Sequence, residues 1–146
     1  MRIVLVVRTL GTGGAERQAL ATATSLSRRG HSAMILTLDS VKPSFPIPSG
    51  CEGYCADRKR GPWHLSYLFR AVTAAADFRP DIVYGFHYGG NLAAAAIWAG
   101  LRARPKLVWG IRNCAPSRLT DSLSALRGGL WADLAFPAFC GVYGVQ

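Results

Sequence analysis

The chain has 146 residues, of which 50% are hydrophobic and 17% charged, so it is long enough for one domain with a hydrophobic core. Seventeen Lys and Arg residues against eight Asp and Glu give a net charge of +9. The longest apolar stretch, residues 92–101, is about half of what a membrane span requires, and the five apolar residues before Arg8 are too few for a signal-peptide core. We therefore expect a cytoplasmic domain without a transmembrane segment.

The first forty residues predict a strand, a glycine-rich turn, a helix and a second strand. The β-branched run over residues 2–7 is typical of a strand covered on both faces of a parallel sheet. Glycines at 11, 13 and 14 end it, residues 15–29 have helical periodicity, and residues 33–38 form the next strand. Such a turn can present backbone N–H groups at the positive end of a helix. It can equally serve only as a tight connection.

The alternation of strand and helix continues along the chain. The remaining predicted elements are a loop over 42–48, a strand over 51–56, a helix over 63–78, a strand over 82–85, a buried helix over 91–101 and a strand over 107–109. This order predicts an α/β, Rossmann-like doubly wound parallel sheet with strand order 3-2-1-4-5, incomplete at the C-terminus. Strands one and four are then neighbours, and the crevice beyond their carboxyl ends is the predicted ligand site. Three glycine-bearing loops would meet there, over residues 11–14, 85–90 and 110–113.

Three segments contain sequence motifs that are more specific than the pattern of strands and helices. They read Gly13-Gly14-Ala15-Glu16-Arg17 with Leu20 and Gly30-His31 after it, Pro80-Asp81-Ile82-Val83-Tyr84 with Asn91-Leu92-Ala93-Ala94, and Val108-Trp109-Gly110-Ile111-Arg112. Together they resemble the opening of family 4 glycosyltransferases. That resemblance implies the GT-B arrangement, in which two Rossmann-like domains face each other across a cleft, and transfer from a nucleotide-sugar co-substrate without a further cofactor or an obligatory metal.

The resemblance also implies a division of the chain. Residues 1–113 correspond to the N-terminal, acceptor-binding domain, and residues 114–146 are an uncertain continuation. The C-terminal domain of the family holds the donor and carries a close pair of glutamates, whereas Glu16 and Glu52 stand far apart here. We therefore expect the donor domain to be absent, the chain to be inactive alone, and the sequence to be a fragment, a truncated product or a split partner. The alternatives are a non-catalytic nucleotide- or anion-binding module and an inert remnant.

Six residues are candidates for substrate or phosphate binding, and each has a simpler alternative. Glycine amides could bond a phosphate, and an arginine after a buried strand or in a first helical turn could reach an anion. The asparagine could be only a helix N-cap and the first arginine only solvated. Glu16, by contrast, suits a helix start electrostatically and is interpreted as structural. Relatives place a histidine one residue earlier, at Phe86, so the histidine here could be a surface or packing residue. The candidates are Gly13, Gly14, Arg17, His87, Asn91 and Arg112.

The positive charge and the cysteines bear on partners. The excess of arginine is explained by a solvated face or by contact with an anionic membrane surface, and no nucleic-acid-binding module is recognised. The resemblance implies a glycan or lipid-linked acceptor. The four cysteines have no metal-ligand spacing, so we expect free thiols and no metal.

Overall fold

A computed structural model describes residues 1–58 and 65–110. In these ranges strands and helices alternate, as the sequence predicts. The elements are β1 (Arg2–Val7), α1 (Gly14–Arg28), β2 (Ser32–Thr37), β3 (Cys51–Cys55), α2 (Ser66–Phe78), β4 (Ile82–Phe86), α3 (His87–Gly100) and β5 (Lys106–Gly110). Most bounds lie within one residue of the prediction. Residues 63–64 of the predicted second helix, residues 114–146 and Arg112 fall outside the described ranges.

All strand pairs are parallel, and their order is β3-β2-β1-β4-β5. The predicted α/β, Rossmann-like sheet order is therefore confirmed. The central strand β1 pairs with β2 on one side, where Val4 is opposite Met34, and with β4 on the other, where Val4 is opposite Val83. Each helix returns the chain antiparallel to the strands, so the amino ends of α1 and α3 lie at the carboxyl edge of the sheet.

The side chains of β1 divide the core into two layers because they alternate between the faces of the sheet. Val4 and Val6 belong to the layer under α2 and α3, and Ile3, Leu5 and Val7 to the layer under α1. All five are at most 4% exposed. A fully buried side chain of this size contributes roughly 1.5–3 kcal/mol, so β1 anchors both layers.

Three details of the helix predictions are wrong. Helix α3 begins at His87 rather than Asn91, so Asn91 is not an N-cap. The helix is not buried on all sides, since Leu92 is 42% exposed. The apolar spacing within residues 63–78 predicts Leu65 and Phe69 on the buried face of the predicted second helix, but they are 70% and 76% exposed. The buried positions of α2 are Ala71, Ala75 and Phe78. A helix resting on a sheet buries one stripe only, and two alanines and Phe78 fill it here.

Candidate functional site

The carboxyl ends of β1, β4 and β5 meet at one edge of the sheet. Val6 is opposite Gly85, and Phe86 is opposite Gly110, so the segments that follow these strands start side by side. The first turns of α1 and α3 therefore flank the crevice between β1 and β4. This is the switch point of a doubly wound sheet, where ligands of such folds bind.

The start of α1 combines exposed glycines with a buttressed carboxylate. Gly13 is the N-cap and Gly14 the first helical residue, and no side chain caps the helix. The Glu16 carboxylate folds back against Gly13, where an added Cβ would overlap Glu16 Oε2. Thr9 Oγ1 donates a hydrogen bond of 3.1 Å to Glu16 Oε1, and Gly11 N–H donates one of 3.4 Å to Thr9 Oγ1. A carboxylate at this end of a helix is electrostatically favoured.

Arg17 lies on the side of α1 that faces the β2–β3 loop. Its guanidinium carbon is 5.5 Å from the ring centroid of Phe45. Phe45 packs on the core layer under α1, and Ser44 N–H donates to Leu10 O at 2.8 Å, which holds this loop against the glycine-rich turn. A cation–π contact of this kind fixes the guanidinium beside the loop. A binding role for Arg17 stays a prediction, as it does for Gly13 and Gly14.

His87 forms the junction between β4 and α3. Its φ of +63° lies in the left-handed region, and the residue is exposed. Its ring packs edge-on against Tyr88, with centroids 5.1 Å apart. A non-glycine residue held in a left-handed conformation costs of order 1 kcal/mol or more, and such residues concentrate at functional sites. The chain turns sharply from strand to helix here and presents His87 at the edge of the crevice.

Asn91 lies one turn into α3 and is 1% exposed. Its Nδ2 donates to Gly110 O at 3.5 Å, and its Oδ1 has no hydrogen-bond partner within residues 1–58 and 65–110. The side chain occupies the space above Gly85, where an added Cβ would be 2.7 Å from Asn91 Oδ1. Asn91 thus joins the start of α3 to the end of β5. Arg112, two residues after β5 in the sequence, lies outside the described residues.

Three charged residues at this edge were missed by the sequence analysis. Arg8 follows β1 directly, Asp39 follows β2, and Arg58 follows β3. Arg58 Nε and Nη2 donate to the two carboxylate oxygens of Asp39 at 2.6 and 3.0 Å. Arg8 Nε is 3.6 Å from Asp39 Oδ2. The signal was available, because a charge just past each of three parallel strands must lie at one edge.

The Asp39–Arg58 pair is electrostatically firm. The hydrogen bond to Asp39 is the main cause that raises the pKa of Arg58 above its ordinary value. Arg58 is also 5.9 Å from the ring centroid of Tyr67 on α2. The Arg58 guanidinium is therefore held in its charged form beside the Asp39 carboxylate.

The cysteines in the described part of the chain bear on metal binding, and the helices bear on membrane insertion. Burial raises the pKa of the Cys51 thiol, which disfavours the thiolate that metals bind. Within the described residues no three His, Cys, Asp or Glu side chains are grouped as a metal site would need. None of the helices in the same part of the chain has the length and apolarity to cross a membrane.

The sequence matches the family described as "Glycosyl transferase 4-like domain" over residues 13–140. The match covers most of the chain and begins at the N-cap glycine of α1. The chain belongs to this family. Comparison with curated proteins finds no match.

Solved structures share the fold of this glycosyltransferase-like domain. Anabaena HepE in complex with UDP and glucose matches 92% of the chain at 20% identity, with a TM-score of 0.64. An alpha-glucosyltransferase in complex with UDP and a 13-mer DNA containing a HMU base matches the whole chain at 14% identity, with a TM-score of 0.58. UDP-glucose-4-epimerase from Stenotrophomonas maltophila, with bound NAD, matches it at 13% identity, with a TM-score of 0.53.

The chain spans only part of each of these structures. It covers 35% of HepE, 42% of the alpha-glucosyltransferase and 52% of the epimerase. At these identities the likeness concerns the fold of the glycosyltransferase-like domain.

Proposed function

We propose that this chain is the N-terminal, acceptor-binding half of a nucleotide-sugar-dependent glycosyltransferase. The observation that carries the proposal is the crevice at the switch point, where the glycine-rich start of α1 and the sharp turn into α3 flank β1 and β4 in a domain of this family. Two similar structures are complexes with UDP, one of them with glucose as well. The donor would be held by a second domain outside these 146 residues.

The start of α1 is suited to bind the acceptor sugar. The Glu16 carboxylate can accept hydrogen bonds from sugar hydroxyls, and Thr9 holds one of its oxygens in place. The exposed amides of Gly13 and Gly14 add donors for a sugar oxygen. A phosphate in the same position would face the Glu16 carboxylate and be repelled, so neutral hydroxyls fit this side of the crevice better than the phosphate that we first expected there.

In the proposed reaction an acceptor hydroxyl attacks the anomeric carbon of the donor sugar, and the nucleoside diphosphate leaves. The acceptor-binding half orients that hydroxyl, and closure of the donor domain over the crevice excludes water. His87 would lie at the closing surface, and Arg112 stays a candidate binding residue. On this proposal the 146 residues alone bind acceptor but transfer no sugar.

A dinucleotide-binding module is the second candidate, because the epimerase with NAD has a similar fold. Two observations count against it. The dinucleotide fingerprint needs a third glycine at position 16, where this chain has Glu16 folded over Gly13. The acid that would bond a ribose after β2, Asp39, is already engaged at both oxygens by Arg58.

Titration of the ¹⁵N-labelled chain separates the two candidates. We expect neutral monosaccharides at millimolar concentration to shift the amide signals of residues 11–16 and 87–90, and NAD to leave them unchanged. The variant Glu16→Gln should weaken the sugar response, whereas Glu52→Gln, on the exposed part of β3, should not.

Incubation with UDP-glucose or a GDP-sugar should release no nucleotide above the protein-free rate. Saturable binding of NAD instead of sugars would support the dinucleotide module. Turnover by these 146 residues alone would overturn the assignment of the chain to half of an enzyme.

A further inference from the structure

Arg8, Asp39 and Arg58 form a fixed row across the exits of β1, β2 and β3. Backbone hydrogen bonds continue past the strand ends and join these three residues. Asp39 N–H donates to Arg8 O at 2.9 Å, and Arg58 N–H donates to Leu38 O at 2.7 Å. The spacing of the side chains is therefore set by the sheet and needs no ligand to form.

The row contains two arginines and one aspartate, so its net charge is +1. Both carboxylate oxygens of Asp39 accept hydrogen bonds from Arg58. Arg8 has only the longer ion pair of 3.6 Å with Asp39 Oδ2. The Arg8 side chain remains 64% exposed. Most of its five N–H donors can therefore reach a ligand.

Arg8 also lies beside the positive end of α3. It follows β1, ahead of the turn that leads into α1. Its Cδ lies 3.9 Å from the position that a Cβ on Gly89 would take, in the first turn of α3. Helix N-termini favour anions, so the dipole of α3 adds to the charge of the guanidinium.

We propose that Arg8, backed by the Asp39–Arg58 pair, binds an oxyanion of the acceptor, either a phosphate or a carboxylate. A planar guanidinium matches both groups through two parallel hydrogen bonds. The inference rests on the proposed function and narrows its substrate class to an acceptor with an anionic group. Hydroxyls then bind beside Glu16, and the anion binds on the side of α3.

Asp39 and Arg58 are positioning residues in this arrangement. Without the Asp39 carboxylate the two guanidinium groups would repel each other, and Arg8 would swing away from the row. Replacement of Asp39 by Asn should therefore weaken anion binding although it raises the net charge. If Asp39 acted only through its negative charge, its replacement by Asn would strengthen anion binding instead.

The test measures binding of pyrophosphate, glucose 1-phosphate, glucuronate and glucose to the ¹⁵N-labelled chain. Arg8→Gln should weaken binding of the anions at least about tenfold and leave glucose unchanged. Arg28→Gln, an exposed site in the last turn of α1, removes the same charge far from the crevice and should have little effect. Arg8→Lys should recover part of the affinity only, because an ammonium lacks the fork.

The outcomes separate the phosphate source from the carboxylate source. Selective loss of glucose 1-phosphate and pyrophosphate identifies a phosphorylated acceptor, and selective loss of glucuronate an acidic sugar. The inference is overturned if the wild-type chain binds none of the anions at millimolar concentration, or if Arg8→Gln and Arg28→Gln behave alike. Thermal unfolding of each variant checks that it is folded.

The same titration keeps the two proposals apart. Anion binding through Arg8 without a response to any neutral sugar would contradict the acceptor function and leave the anion site standing. Sugar binding at Glu16 without an effect of Arg8→Gln would do the reverse.

Discussion

Asn91 shows how one buried amide connects a helix to a neighbouring strand. The side chain fills the space above Gly85 and bonds the backbone oxygen of Gly110. A buried carbonyl without a partner costs free energy comparable to a lost hydrogen bond. Gly110 of β5 is therefore held by a residue nineteen positions earlier in the chain.

Replacement of Asn91 by Ala should lower the free energy of unfolding by about 1 to 3 kcal/mol, because it removes the bond to Gly110 O and leaves that oxygen buried. Urea denaturation measures the change. Ser25→Ala, at an exposed position of α1, is the matched polar-to-alanine control and should stay within about 0.5 kcal/mol. Equal stability of Asn91→Ala and the wild type would mean that the amide has no structural role.

His87 illustrates what sequence reasoning cannot reach at the scale of a residue. Nothing in the sequence indicates that this histidine has a φ of +63°. The conformation arises because the chain must leave β4 and enter α3 within one residue. Likewise, Arg8, Asp39 and Arg58 could be assigned to one edge from the topology, but the bidentate pairing of Asp39 with Arg58 depends on side-chain distances that only the fold sets.

At the scale of elements, helix α3 lies against β1 through a glycine. A Cβ on Gly90 would be 2.6 Å from Val6 O, which is closer than any side chain tolerates. Gly90 therefore sets the approach of the helix to the central strand. Gly14, the first residue of α1, has open space around it, with nothing within 4 Å of an added Cβ.

These two glycines give opposite expectations for the same substitution. Gly90→Ala should destabilise the protein by about 1 to 3 kcal/mol, because α3 must shift away from β1. Gly14→Ala should change the free energy of unfolding by less than about 1 kcal/mol, since alanine is favoured in a helix and meets no neighbour. Thermal and urea unfolding of both variants provide the comparison. A neutral Gly90→Ala would show that the helix position is adjustable.

Two glycines at the start of α3 explain why the sequence predicts this helix to begin four residues too late. Gly89 and Gly90 have low helix propensity, so a sequence pattern assigns them to a loop. The structure uses them inside the first turn, where close packing outweighs propensity. By contrast, the sheet order could be predicted, because the apolar runs of β1, β2 and β4 and the glycine-rich turn leave few topologies open. The exposure of Phe69 could not, since a periodic apolar pattern does not say how much of it the sheet covers.

At the scale of the whole molecule, positive charge also collects at the amino edge of the sheet, opposite the crevice. A groove of about 1000 Å³ there is lined by four cations and by Asp81, whose carboxylate accepts from Arg2 N–H at 2.7 Å. The guanidinium carbon of Arg104, which lines the groove, lies 4.7 Å from the ring centroid of Trp98. The cations are Arg79, Arg102, Arg104 and Lys106.

The chain should therefore bind vesicles of anionic lipid weakly and in a salt-sensitive way, and neutral vesicles not at all. Each basic residue near such a surface contributes roughly 1 kcal/mol before screening. Co-sedimentation at low and high salt measures the effect, and replacing Arg102 and Arg104 together by Gln should reduce it about tenfold or more. Equal partitioning to neutral and anionic vesicles would mean that the charge serves no membrane contact.

The central position of β1 in the sheet also determines when each of its edges can pair during synthesis on the ribosome. Its neighbour on one side, β2, follows within one βαβ unit, but Ile3 pairs with Ile82, 79 residues later. At roughly 5 to 20 residues per second, synthesis leaves that edge of an apolar strand without its partner for about 4 to 16 s. An open hydrophobic edge is a template for aggregation. We therefore expect the nascent chain to need shielding during this interval, and slow translation between β2 and β4 to lower the yield of folded protein.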